Sequence, residues 1–454
     1  MLGLLLYGRW KWLLAVAGLA AIVYLAGGFQ SRDARYAERI ARAGRITRER
    51  QFDAVVERIA RLYVAELHAV RRDRQLDDAA VEAVRAGCPD PFVRYLAYRL
   101  RIDAVYVSPG VAAVDALAAE GSELMQEICS LPYPDGFRSM AASRVLECVR
   151  FASKGANLPP ISRDLQGIAW GGALAAIRDR NTPDNFAWLL AAGTEDYFGT
   201  DPKWRKTSEN ALDPVLASRP GAEAFRHYLR GTRAVAQAWE ARGTGFANEV
   251  KPEGWAGFRT ALVEARRELE TAWAQGFRHV WVAGSMITVC MGDGASAEEM
   301  ELWFARGLAT GQDAQFLCSA KAWYLDERWY GSFEARLTFG RECLQHPEWA
   351  RRSALELWQV HRDHRSLCKL PESYFGRPEV WRDIKDSFTT FLRANPNAAA
   401  DRVLYIYLAW IAKDWEVVRE QLPKADPRTT VEEHYFGPSG IKRVQEDLAK
   451  ASGS

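Results

Sequence analysis

The chain has no excess of charge of either sign, with 60 Lys and Arg against 58 Asp and Glu. No basic excess marks a nucleic-acid surface, so no nucleic-acid partner is expected, and no acidic excess marks a solvated tail. There is no CxxC. The seven cysteines (Cys88, Cys129, Cys148, Cys290, Cys318, Cys343 and Cys368) are scattered and odd in number, which is no disulfide framework for 454 residues. No stretch alternates apolar and polar residues with turn punctuation, which argues against a β-rich fold. G-x-S-x-G and H-E-x-x-H are absent, removing the usual nucleophile elbow and zinc-protease helix. Methionine is scarce, at six, whereas tryptophan numbers 17, so burial falls on aromatic rings.

What is present is apolar enough to fold. Hydrophobic residues make up 48% of the chain, which argues against disorder, and the length calls for several subdomains or a repeat array. Residues 12–29, "WLLAVAGLAAIVYLAGGF", form an uncharged run of eighteen. As a helix it spans about 27 Å, close to a bilayer core of about 30 Å. Trp10 and Trp12 stand beside Arg9 and Lys11, where an interfacial belt belongs. The reading is an uncleaved membrane anchor; a cleaved signal peptide and a buried core helix are the alternatives. Counted literally, Arg32, Arg35, Arg39, Arg42, Arg45 and Arg48 after the span place the large domain in the cytoplasm. If those arginines belong to a folded amphipathic helix, the positive start instead exports the domain behind the span. The expectation is a single-pass bacterial inner-membrane protein with a periplasmic domain, the cytoplasmic orientation being the alternative.

Beyond Arg35 the apolar spacing is three and four. Phe52, Val55, Val56, Ile59, Leu62, Tyr63 and Leu67 fall on one stripe. Asp90 before Pro91 reads as an N-cap with proline at the first helical position. Ser296 and Glu299 read as a capping box. The most strand-like run, Phe277 to Cys290, suits a buried helix better because of its length and polar neighbours. Connectors rich in Pro and Gly at 131–136, 154–162 and 246–255 separate paired helices. They divide the chain into an anchor (1–29), an N-terminal helical region (30–160), a middle region (161–245) and a C-terminal helical domain (246–454). "WEARG" at Trp239–Gly243 echoes "WFARG" at Trp303–Gly307, near twice the period of a helix-turn-helix repeat.

The stretch "WYGSFE" poses a choice between reactive loop and helix corner. In the corner reading, Gly331 supplies a left-handed closure of one helix. Ser332 caps the next with Glu334 in its first turn, and Trp329 and Tyr330 wedge the turn. Nothing nearby supplies Ser332 with a base or an oxyanion hole. "WAGF" at Trp255–Phe258, "ELETAW" at Glu268–Trp273 and "AWYLDERWYGSFEARLTFG" at Ala322–Gly340 carry a resemblance. Over residues 255–343 the chain resembles an uncharacterised bacterial domain-of-unknown-function family with tetratricopeptide-like helices. Where that family more often has proline before the corner, this chain has Asp326-Glu327-Arg328. The resemblance implies a fold and no activity. The expected fold class is all-α: a transmembrane helix followed by helical hairpins in a solenoid-like array.

One cluster carries metal-ligating chemistry. Cys343, His346, His361, His364 and Cys368 fall close together, and the last three share a helix face at i, i+3 and i+7. Imidazole and thiolate in such a set suit zinc. The plainer reading makes the cysteines core residues and the histidines a wet surface beside Arg362, Asp363 and Arg365. In an exported domain Cys343 and Cys368 could instead pair as a disulfide. "HRD" at His361–Asp363 lacks every other kinase element. "MGDGAS" at Met291–Ser296 lacks the strand and lysine of a phosphate loop. No catalytic or cofactor-binding residue emerges. The functional expectation is a non-enzymatic helical-repeat protein that binds a protein or peptide partner. A metal-dependent hydrolase built on the Cys/His cluster and an envelope spacer are the alternatives.

Overall fold

The computed structural model describes residues 31–70, 73–107, 111–153, 159–198, 202–245, 247–350, 352–396, 398–425 and 441–452. The expected membrane anchor, residues 1–29, lies outside them. Among the described residues no helix is long and apolar enough to cross a membrane. The described chain is all-helical, with no strand.

The first eight helices are α1 (Arg32–Ala43), α2 (Asp53–Ala69), α3 (Arg74–Arg85), α4 (Pro91–Val107), α5 (Val111–Ser130), α6 (Asp135–Ala152), α7 (Ile161–Arg178) and α8 (Asp184–Phe198). The next seven are α9 (Pro202–Ala217), α10 (Glu223–Arg242), α11 (Pro252–Ala274), α12 (Val280–Asp293), α13 (Ala297–Leu308), α14 (Gln315–Tyr324) and α15 (Phe333–Gln345). The last five are α16 (Glu356–Leu367), α17 (Pro378–Ala394), α18 (Ala399–Ala412), α19 (Trp415–Gln421) and α20 (Lys442–Ser452). Consecutive helices pack on one another, most extensively α10 on α11 and α6 on α7. The segment over Phe277–Cys290 is the buried helix α12.

Local chemistry sets these boundaries. Pro91, Pro252 and Pro378 each open a helix, where the missing N–H costs nothing. Asp90 Oδ1 accepts from Phe92 N at 3.0 Å, making the expected cap of α4. Ser296 Oγ accepts from Glu299 N at 3.3 Å, so half of the capping box forms. The other half is replaced: the Glu299 carboxylate pairs with Arg266. A fixed guanidinium on a neighbouring helix holds that charge more firmly than a solvated backbone N–H does.

Buried residues form three clusters. The first draws on α1 to α8, and its large side chains are tyrosines and phenylalanines. Tyr63 is met edge-on by Phe92, Phe137 and Phe186 at centroid distances of 5.5, 6.1 and 6.5 Å. The geometry matches the ring quadrupoles, and each buried Phe adds about 1.5–3 kcal/mol of burial. The second cluster runs from Leu174 to Cys343 and gathers most of the described tryptophans; the third spans Ala354 to Val444. The second core therefore crosses the division expected at 245/246. Segments far apart in sequence also meet: α4 touches α18, and Asp313 N donates to Val70 O at 3.4 Å.

The pentapeptide echo has a physical basis. In both copies the arginine one turn on lies over the tryptophan ring, Arg242 over Trp239 at 5.7 Å and Arg306 over Trp303 at 4.5 Å. The glycines differ. Gly243, at φ 74, ends α10, whereas Gly307 lies within α13 where a Cβ would press on Leu317.

Candidate functional site

The turn between α14 and α15 builds a cleft. After Tyr324 the chain folds back through Trp329 N to Asp326 O at 2.8 Å and Gly331 N to Asp326 O at 3.3 Å. Ser332 Oγ then accepts from Ala335 N at 3.1 Å and starts α15, as expected, with Glu334 in the first turn. Gly331 does not work as expected. It is not among the residues of positive φ. Its role is steric, because a Cβ there would overlap the backbone of Leu325. The turn closes so tightly that only hydrogen fits. Gly331→Val is expected to destabilise the α14–α15 region by about 1–3 kcal/mol or more, the range for overpacking. Faster native-state hydrogen exchange in α14 and α15 would report this; exchange equal to the parent would refute the close approach.

The two aromatic wedges part company. Trp329 is half-buried, edge-on to Trp239 at 5.5 Å, and its ring faces Arg242 together with Trp239 and Trp255. Three indoles around one guanidinium fasten the corner to the end of α10. Tyr330 is not a buried wedge. It is 50% exposed, resting against Tyr324 at 5.3 Å.

Beside this corner, Asp326, Glu327, Arg328, Phe333 and Arg336 face Asp363, His364, Ser366, Leu367 and Lys369 across a cleft of about 430 Å³. Asp326 is its buried anchor. It accepts from Arg328 Nε at 2.7 Å and Arg336 Nη1 at 2.8 Å, and Arg336 Nη2 reaches Asp363 at 2.8 Å. Burial pushes the Asp326 carboxyl up, but the hydrogen bonds from Arg328 and the charge of Arg336 outweigh it and hold it below the usual range. The same bond to Asp326 raises Arg328. Phe333 stacks on His364 at 3.9 Å, forming an apolar wall. Behind Arg336, Glu356 is buried with Gln315 at 3.2 Å, and burial raises its pKa to about 6.

The five candidate metal ligands divide among separate environments. Cys343 is buried in the second core, where the Cys318 thiol and burial both push it up. His346 is bound to Glu348 at 2.9 Å and stacks on Trp349. His361 is buried between Tyr374 Oη at 2.9 Å and Asp383 at 3.2 Å; burial lowers its pKa, with Asp383 working against the shift. His364 and Cys368 do meet, with Cys368 Sγ 3.8 Å from His364 Nδ1, and Cys368 is exposed. No group of three or more His, Cys, Asp or Glu converges on one point among the described residues. Cys343 and Cys368 also sit apart in character, one in the core and one at the end of α16.

Sequence reasoning passed over Asp326, Arg336, Asp363 and Lys369. The signal was there in two acids and two arginines flanking an aromatic corner and in the "HRD" triplet, whose Asp363 turns out to receive Arg336. Their pairing depends on how α15 crosses α16, which spacing does not encode. Comparison with protein-family models, with curated proteins and with solved structures finds no match to this chain.

Proposed function

We propose that this chain is a non-enzymatic, tetratricopeptide-like helical-hairpin protein, held at a membrane by residues 12–29, that binds a protein or peptide partner. The supporting observation is a pair of exposed aromatic side chains on α14, the helix that leads into the corner. On α14, Phe316, Ser319 and Trp323 share the outer face at i, i+3 and i+7, and Phe316 and Trp323 are 45% and 49% exposed. Tyr330, half in water against Tyr324, is a further exposed ring at the corner. Large aromatic side chains half in water next to paired charges have the make-up of an interface core with its rim.

A photo-crosslinking side chain placed at Trp323 in the full chain, in membranes, should yield one discrete adduct that Tyr330→Ser diminishes. The same probe at Val263, 71% exposed on α11, should not yield it. Equal labelling from both positions would sink the assignment.

A further inference from the structure

We infer that the cleft beside the corner receives a carboxylate, carried on an acidic side chain within a peptide segment, with Lys369 as the receiving cation. This rests on the reading of the corner as a peptide-binding surface. Two of the three lining acids are already saturated, Asp326 by Arg328 and Arg336 and Asp363 by Arg336 and Arg362. Of the three lining cations, Arg336 is spent on those two acids and the other two are not. Lys369 makes no side-chain hydrogen bond or ion pair among the described residues, and Arg328 is 56% exposed on its side chain while still holding Asp326. Against them stands Glu327, the one lining acid without an ion pair among the described residues. The charges left open at the cleft are therefore the Lys369 ammonium and the exposed part of the Arg328 guanidinium, against the single carboxylate of Glu327.

A carboxylate entering the cleft would exchange solvent for charge-assisted bonds to an ammonium and a guanidinium. The walls select what carries it. Phe333, stacked on His364, and Leu367, 48% exposed, present apolar surface at the same opening. An acid flanked by an apolar residue satisfies both. About 430 Å³ accommodates one or two side chains, at the lower end of the usual pocket range.

The test is selection of a displayed random dodecapeptide library, fused so that no peptide carries a free C-terminus, on the full chain in lipid nanodiscs. The recovered pool should be enriched in Asp or Glu beside an apolar residue. A recovered peptide, synthesised with both ends capped, should bind about tenfold more weakly to Lys369→Asn, or when its acid becomes an amide, as expected for a lost charge-assisted bond. Asn suits the left-handed backbone at this position, φ 52, so the fold is kept. Arg328→Gln should weaken binding in the same direction. A pool without acidic enrichment, or unchanged affinity in Lys369→Asn, overturns the carboxylate assignment. If such a pool still depends on Trp323, peptide binding at the corner survives; no enrichment at all sinks both. Competition by N-acetylglutamate as strong as by the peptide would make the ligand a small carboxylate and end the peptide assignment.

Discussion

Replacing Asp90 with alanine is expected to destabilise the N-terminal core by about 3–5 kcal/mol, the range for removing one partner of a buried ion pair. Arg48 and Asp90 are 2% and 1% exposed on their side chains and bonded to each other. The carboxylate has two further duties, accepting from Phe92 N and from Tyr133 Oη, each at 3.0 Å. Alanine removes the carboxylate cap of α4, leaving Phe92 N only its longer bond to Tyr133 Oη at 3.3 Å, takes away the acceptor of that hydroxyl, and leaves a guanidinium whose remaining partners are Asp53 and the Ala41 carbonyl. The crowding is absolute on one side, because a Cβ at Gly44 would overlap both Tyr133 Oη and Asp90. No larger side chain can move in to compensate.

Two further variants separate these contributions. Asp90→Asn keeps an acceptor for Phe92 N and Tyr133 but not the charge, and should lose less than alanine. Arg48→Met on the Asp90→Asn background should recover part of the loss, because no uncompensated charge remains. Native-state hydrogen exchange across α1, α2 and α4 reads the effect locally, which suits a chain with three cores. If the single and double variants lose equal stability, the ion pair is not what the site depends on.

Asp90 also shows what the sequence discloses and where it stops. Its capping role comes from an acid before a proline, a relation between neighbours that chemistry fixes. Its pairing with Arg48 and Tyr133 comes from the meeting of three connectors, those before α2, α4 and α6, which no local spacing encodes. The same boundary runs through the corner. Ser332 as the cap of α15 was legible because capping acts over three residues. Gly331 was legible as a glycine requirement but for the wrong reason, since the limit comes from the Leu325 backbone and not from φ. The spacing of His361, His364 and Cys368 correctly suggested one side of a helix, and His364 and Cys368 do meet. It could not show that Tyr374 and Asp383 would take His361. Helical periodicity reports which face is apolar, while the identity of the opposing side chain is settled only by the crossing of helices.

A second large effect should appear in acid and centre on His279. This residue caps α12, its Nδ1 accepting from Trp281 N at 3.2 Å, with Phe277 stacked at 5.1 Å and Trp281 tilted over it at 4.1 Å. Burial depresses its pKa from 6.5 to about 3, so the folded ring stays neutral where the unfolded one charges. The folded value lies below the unfolded one, so the associated stability is complete above about pH 6.5 and is lost as pH falls toward about 3. Between pH 7 and pH 4 the loss should amount to about 3 kcal/mol, at about 1.4 kcal/mol per unit. Protonation would also turn the capping nitrogen into a donor facing the Trp281 N–H. His279→Asn keeps an oxygen acceptor at the cap and removes the titration. It should be less stable than the parent at pH 7, having lost the ring contacts, yet the gap should narrow steadily toward pH 4. Opening free energies of α12 from hydrogen exchange, compared between the two proteins at each pH, isolate this proton from the many carboxylates both share. Two profiles that fall in parallel would show that His279 titrates alike in the folded and unfolded chain, and that its burial has no hold on its charge.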